Sequence, residues 1–246
     1  MTTQFPDSPY RALARSLLAR SDDLRGAASE TLERFVENGR IAKYLDGNVL
    51  AVAGGEMEAL VVVLSGSIEV GLSTVSGKHF VIGYLGPGLI FGLIPILDGG
   101  GPVHDARAHG EAVALLIPKA VFAQAVREDS GLAQALLRLF CKRSRALYGS
   151  AAASALAPLR VRVARALLSL LPVHGVRHGE TVSITLKLSQ EEFAALLGAS
   201  RQSVNRELKA LENAGFICLA YSSIRVLDCG ALNAVAGMDG DPAPVK

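Results

Sequence analysis

The sequence predicts an α+β chain in three parts: a small β barrel or sandwich preceded by short helices, a long helix, and a compact helical domain closed by a β-hairpin. Three observations carry this. Between Ile41 and about Pro118, short β-rich runs alternate with glycines at positions 47, 54, 55, 66, 77, 86 and 88, the texture of several strands joined by turns. From Ser130 to about Leu156, apolar residues recur near heptad spacing. The stretch LSQEEFAALLGASRQSVNRELKAL, residues 188–211, reads as two capped helices with a tight turn between them.

Composition bounds the reading. The 246 residues allow one large or two modest domains, and a hydrophobic share of 50% supplies real cores. With 5% aromatic residues and no Trp, packing must be aliphatic. A formal net charge of +2 does not by itself indicate a nucleic-acid partner, so any basic surface must be local. Cys141, Cys218 and Cys229 lie far apart without a CxxC pair, which argues against a zinc or thiol-redox site and for small apolar fillers in a reducing compartment. The N-terminus contains acids and has no continuous apolar core, so it is not read as a signal peptide. No apolar run is long enough to span a bilayer. The expectation is a cytoplasmic protein with no membrane partner.

Taken in order, the first 20 residues read as a loose start and a short amphipathic helix. Asp22 to Val36 is a second helical stretch, with Leu24, Ala27, Ala28, Leu32 and Phe35 on one side, broken by Asn38 and Gly39. In the β region Val61, Val63, Ile68 and Val70 suit strands. Leu97 to Val103 reads as a flexible crossing loop and Glu111 to Ile117 as the last strand. Pro118 starts a helical hairpin that leads into the long helix. There Leu136, Leu137, Phe140, Leu147, Ala151 and Ala155 form an apolar seam that one barrel cannot cover, so a two-helix dimer contact is expected. Ala157-Pro158 marks the next boundary, because proline suits the first turn of a new helix. Leu159 to Leu171 is that helix, Pro172 to Glu180 a loop and Thr181 to Leu186 a strand. After the helix pair, two β runs flank Tyr221-Ser222-Ser223 as a hairpin, or wing. The domains expected are therefore residues 1–129, 130–156 and 157–232, with 233–246 as a disordered tail.

The helix pair carries the chemistry. Ser189 is a good N-cap and Glu192, three residues on, completes a capping box. Phe193, Leu196 and Leu197 follow at helical spacing, and Gly198 can end the helix in a left-handed conformation. Ser200 can cap the second helix, where Val204, Leu208 and Leu211 make one buried stripe. That leaves Arg201, Gln202, Asn205, Arg206 and Lys209 on the open face. Arginine fits guanine O6 and N7, while glutamine and asparagine can pair with adenine N6 and N7. Such groups in the first turns of the second helix are what a recognition helix needs to reach base edges in the major groove, and a serine at a helix N-terminus suits a phosphate.

With these residues in view, the order of parts resembles the superfamily of the cAMP receptor protein and the fumarate–nitrate reduction regulator (Crp/Fnr), bacterial homodimeric transcription factors. The resemblance runs from about Leu24 to Leu232 and is most specific in LSQEEFAALLGASRQSVNRELKALENAGFI, with LVVVLSGSIEVG and YLGPGLIFG matching less specifically. It implies a cyclic-nucleotide-binding-type β-roll (a jelly roll), a long dimerisation helix and a C-terminal winged helix-turn-helix. It implies that Arg201, Gln202 and Arg206 read bases, with Asn205 close enough to join them, and that Ser189 and Ser200 contact phosphates. The implied partners are double-stranded DNA with a near-palindromic site, a second copy of the chain and RNA polymerase.

The β-roll departs from this pattern. Nucleotide-binding members use a Gly-Glu pair and a later Arg-Ser or Arg-Thr; here those positions are Gly92-Leu93 and Pro102-Val103. The helix position that meets the adenine is Leu147, with Tyr148 beside it. Leu, Pro and Val side chains offer a phosphate neither charge nor donors, and a buried unpaired anion is prohibitive. Control by cAMP or cGMP is therefore not expected. No cofactor is expected, and two alternatives stay open: a neutral or largely apolar effector, or a structural dimerisation body that binds nothing. Arg107 follows the loop; recovery of some anion binding there is a weaker reading than a structural or exposed role. The iron–sulfur members need an N-terminal cysteine set, and none precedes Cys141. A haem ligand at His79 or His104 is a weaker reading than an ordinary histidine. A cupin-like enzyme would need converging metal ligands, and His79, His104, His109, His174 and His178 show no such grouping. An effector-binding or scaffold protein with a vestigial DNA-binding domain is the other rival.

Overall fold

The structure, a computed structural model, describes residues 9–73, 79–220 and 223–237; for residues 79, 150 and 152–155 it describes the backbone alone. Expectations about residues 1–8, the turn at 221–222 and the tail from 238 onward lie outside the described residues. The chain forms two compact units, Met1–Lys78 with Ile82–Ala146, and His79–Val81 with Leu147–Lys246.

The first unit opens with helix α1 (Pro9–Arg20), a short 3-10 turn (Asp22–Leu24) and α2 (Ser29–Asn38). Its strands are β1 (Arg40–Tyr44), β2 (Val49–Ala51), β3 (Ala59–Ser73), the part of β4 (His79–Leu85) from Ile82 on, β5 (Ile90–Phe91) and β6 (Asp105–Pro118), with the short helix α3 (Leu93–Asp98) between the last two. The sheet order is β1-β6-β3-β4, with β2 on β6 and β5 on β3. β3 and β6 form the long antiparallel spine, from Ala59 opposite Pro118 to Gly71 opposite Asp105.

The register of that spine shifts between Val63 and Ser67. Gly66 makes the shift possible. Its φ is +75°, and a Cβ there would lie 2.0 Å from the Glu111 carbonyl oxygen, so only glycine fits. Before the shift Leu60, Val62 and Leu64 face a core with Phe35, Phe122 and Leu132 from the helices. On the other face Val61, Val63, Ile68 and Val70 pack with Phe91, Met57 and a set of alanines inside the roll.

Helix α4 (Lys119–Glu128) leads into the long helix α5 (Ser130–Leu156). Asp129 caps this junction: its carboxylate accepts from the backbone N–H of Leu132 at 3.0 Å and of Ala28 at 2.8 Å. Close approach of α5 to the chain before α2 requires small residues, since a Cβ on Gly131 would lie 1.9 Å from the Gly26 carbonyl oxygen.

The second unit contains α6 (Leu159–His174), β7 (Gly175–His178), β8 (Thr181–Ile184), α7 (Gln190–Leu197), α8 (Arg201–Asn213), β9 (Ile217–Ala220), β10 (Ser223–Val226) and α9 (Cys229–Ala236). Its four strands run β7-β8-β10-β9. The wing hairpin pairs Ser223 with Ala220 and Val226 with Ile217. Val163, Leu167, Leu171, Phe193, Leu197, Val204, Leu208, Leu211 and Leu232 are buried within this unit.

Several expectations need correction. The stretch read as a loop from Leu97 begins inside α3, a single short helix flanked by left-handed Gly92 and Gly99. Six residues are too few to show helical periodicity. Pro172 sits inside α6 rather than ending it, because so near the C-terminus the missing N–H removes only one bond from the last turn. The segment after α6 is β7, paired with β8, not a loop. Residues 233–236 are not a tail: Asp228 caps α9 by accepting from Ala231 N–H at 2.8 Å, Leu232 and Ala236 are buried, and Arg165 donates to the Ala236 carbonyl at 2.8 Å. Cys141 and Cys218 are exposed rather than core fillers, and Cys229 is half-buried.

The apolar seam also divides. Leu136 is 3% exposed and packs in its own unit's core, with Phe140 half-buried beside it. Leu137, one residue on, is 67% exposed. The outer stripe is Leu137, Cys141, Ser144, Tyr148 and Ala151, all outside the core, at alternating spacings of four and three. Leu147 is exposed next to it. Of Ala155, the next position on that stripe, only the backbone is described.

Candidate nucleic-acid interface

The helix pair is built by its caps. Ser189 Oγ accepts from Glu192 N–H at 3.2 Å, and Glu192 Oε2 accepts from Ser189 N–H at 2.7 Å, a complete capping box. Gly198, at φ +56°, ends α7 in the left-handed region, as its sequence position suggests. Arg162, on α6, donates to the carbonyl of Leu197, the last residue of α7. That contact places a cation at the negative end of the helix and fixes the turn against the rest of the unit. Ser200 then caps α8, accepting from Ser203 N–H at 3.2 Å.

On α8 the stripe Val204, Leu208, Leu211 is buried. Arg201, Gln202 and Arg206 are exposed and Asn205 is half-buried. The Arg206 side chain is 75% exposed and meets Glu207 Oε1 at 3.4 Å, a contact loose enough for DNA to displace. Arg201 Nε donates to Gln190 Oε1 at 3.4 Å, and Gln190 Nε2 donates to Asn205 Oδ1 at 3.2 Å. Lys209 is tied to Glu212 at 2.8 Å, and Glu212 also accepts from Leu219 N–H at 2.8 Å, which joins α8 to the wing. The Lys209 ammonium, and next the Leu219 N–H, hold the Glu212 carboxyl below its ordinary pKa.

Two residues here carry no signal in the sequence. Gln190 opens α7 as an exposed polar residue, and nothing in its neighbours signals that it reaches across to α8. Arg162 falls on the flank of an arginine-rich helix, where charge alone suggests solvent.

The positions that correspond to a phosphate cassette are apolar, and Gly92, Leu93 and Pro102 among them are packed shut. Gly92 has φ +92°, and the space a Cβ would take is filled by the Met57 side chain. Leu93 is buried in the core shared with the helices, facing away from the interior of the roll. Pro102 is buried and its carbonyl accepts from Gly54 N–H at 2.8 Å. Val103 is half-exposed at the surface. Arg107 is exposed. The ionised group nearest in sequence, Asp105, is buried and accepts from Ala53 N–H at 2.9 Å. That bond, and the Ser73 hydroxyl after it, hold its carboxyl below the ordinary range. Leu147 and Tyr148, on α5, are solvent-exposed. His104 is half-buried, with burial lowering its pKa.

Residues 161–235 match the family profile described as a Crp-like helix-turn-helix domain, and residues 41–129 match the cyclic nucleotide-binding domain. The chain is 30% identical over 189 residues to the cAMP-activated global transcriptional regulator CRP of Pasteurella multocida, covering 74% of this chain and 88% of that protein. It is 26% identical over 212 residues to the CRP-like cAMP-activated global transcriptional regulator of Mycobacterium tuberculosis, covering 86% of this chain and 95% of that one. Among solved structures, a CRP-family transcriptional regulator from Thermus thermophilus superposes with a TM-score of 0.64 at 26% identity, over 82% of this chain and 99% of that chain. No helix among the described residues is long and apolar enough to cross a membrane.

Proposed function

The chain belongs to the Crp/Fnr superfamily of DNA-binding transcription regulators, and on that premise we propose a homodimer that reads a near-palindromic duplex site without cAMP or cGMP. The observation that carries the DNA reading is the doubly capped helix pair whose outer face displays Arg201, Gln202, Asn205 and Arg206. Arg201 and Arg206 face guanines, Gln202 and Asn205 add base or water-mediated contacts, and Ser189 and Ser200 set the register on phosphates. Two copies joined along the Leu137–Cys141–Ser144–Tyr148 stripe of α5 present two such heads about one helical turn, roughly 34 Å, apart.

The relatives at 30% and 26% identity are named as cAMP-activated. Against the same control here stand Leu93 and Val103, which offer no donor, and Met57, which fills the space beside Gly92. An effector for this roll is neutral or apolar, or the roll serves as a dimerisation body. Any effector must favour one arrangement of the two heads over the other, since a ligand with equal affinity for both shifts nothing.

Two measurements test this. Anisotropy titrations of the full-length protein on a selected duplex should show affinity falling steeply with salt, because phosphate contacts release counterions. Calorimetry with cAMP and cGMP should give no heat of binding at micromolar concentrations; micromolar binding of either, unimproved by Val103→Arg, overturns the closed-cassette reading.

A further inference from the structure

Resting on the reading of α8 as the base-contacting helix, we propose that Gln190, outside that helix, is a specificity-determining positioning residue: its amide clasps Arg201 and Asn205 and turns Asn205 into a hydrogen-bond donor toward the bases. Arg201 and Asn205 are four residues apart and share one face of α8. Gln190 bridges them with one oxygen contact, 3.4 Å from Arg201 Nε, and one nitrogen contact, 3.2 Å to Asn205 Oδ1.

The sense of this chain follows from donor and acceptor chemistry. A guanidinium has only donors, so the Gln190 oxygen must face Arg201. The Gln190 nitrogen therefore faces Asn205, and a nitrogen donor needs an acceptor there. Asn205 must turn its oxygen inward, which leaves its two N–H donors as the outward edge. A free asparagine recognises adenine by offering a donor to N7 and an acceptor to the N6 amino group together. Asn205, with its oxygen held back, instead suits the acceptors of guanine (O6, N7) or thymine (O4). Arg201 loses only Nε to the clasp and keeps both terminal nitrogens for a bidentate contact. Holding both side chains before DNA arrives also lowers the ordering cost of binding.

The test is selection of the full-length protein on random duplex DNA, followed by competition binding with each base at one position. Asn205→Ala locates the position, as the one whose preference it removes. There the wild-type protein should favour guanine or thymine over adenine or cytosine by on the order of tenfold. Gln190→Glu replaces the donor by an acceptor, so Asn205 must reverse and expose its oxygen; preference should move to adenine or cytosine, which present an amino group in the major groove. Gln190→Ala frees the amide and should admit adenine. Gln190 is exposed, and thermal melting of each variant checks that the fold is kept. An unchanged preference in both Gln190 variants, adenine preferred by the wild type, or an Asn205→Ala variant with no altered position overturns the proposal. Arg206→Ala run in parallel separates the premise: if it too leaves the selected site unchanged, the base-reading assignment of α8 fails; if it alone alters the site, only the role of Gln190 does.

Discussion

Arg143 Nη2, on the long helix α5, donates to the backbone carbonyl of Ile90 at 2.8 Å. Ile90 begins β5, two residues before Gly92 and the apolar cassette. Burial pulls the pKa of this guanidinium down, and Asp23 opposes the shift. The bond ties α5 to the strand that leads into the cassette.

Removing it should loosen that link. Arg143→Met keeps much of the side-chain length and loses the donor. A hydrogen bond from a charged group is worth about 1.5–3 kcal/mol, and urea unfolding followed by circular dichroism should show a loss of that order. A variant as stable as wild type would mean that the contact adds nothing to the hold of α5 on this strand.

Arg206 and Ser200 should fail differently. Arg206→Ala should cost on the order of 1–3 kcal/mol at the selected site and relax discrimination at one base. Ser200→Ala removes the cap on Ser203 N–H and the phosphate contact proposed for this side chain, so affinity should fall evenly across sequences, alongside about 1 kcal/mol of helix stability. Equilibrium titrations against a panel of single-base variants distinguish the two patterns. An Arg206→Ala variant that keeps full discrimination would remove that side chain from the base contacts.

The division of the seam on α5 predicts opposite outcomes for adjacent leucines. Leu136→Ala empties a buried site and should cost about 2–5 kcal/mol of unfolding free energy. Leu137→Asp should leave the fold intact and separate the subunits in sedimentation velocity. With Cys218 and Cys229 replaced by serine, a short bis-maleimide should link two chains through Cys141, which lies on the outer stripe, and Leu137→Asp should abolish the link. A Leu137→Asp protein that still sediments as a dimer contradicts the stripe.

How much could be read from the sequence depended on how local each signal is. The helix pair was legible because its caps, its glycine stop and its buried stripe all lie within 24 residues, 188–211. The β-roll was legible as strands and turns, since glycines mark its corners. The helix α3 was not, because six residues between two glycines are too few to show a period. Nor could the seam be resolved: Leu136 and Leu137 are both apolar and one residue apart, and only the packing of Phe35, Phe122 and Leu132 decides which faces inward. Gln190 was invisible for a similar reason, since its partners lie 11 and 15 residues away.

Asp105 gives a pH signature in the roll. Its carboxyl is held below the ordinary range by the Ala53 N–H and then by Ser73. A depressed folded pKa means that its stabilisation is fully present above the unfolded value, about 3.9, and is lost as pH falls through the folded value. Asp105→Asn should therefore be less stable than wild type near neutral pH, and the gap should narrow below about pH 4. Urea midpoints of both proteins across that range check it; a gap independent of pH would mean that the charge of Asp105 contributes nothing.

The most direct measurement is selection of the full-length wild-type protein on random duplex DNA in the absence of any nucleotide. An enriched inverted repeat is expected, with half-sites centred about 10–10.5 base pairs apart and a stoichiometry of two chains per site. No sequence enrichment without added cAMP, or a single half-site bound by one chain, would contradict it.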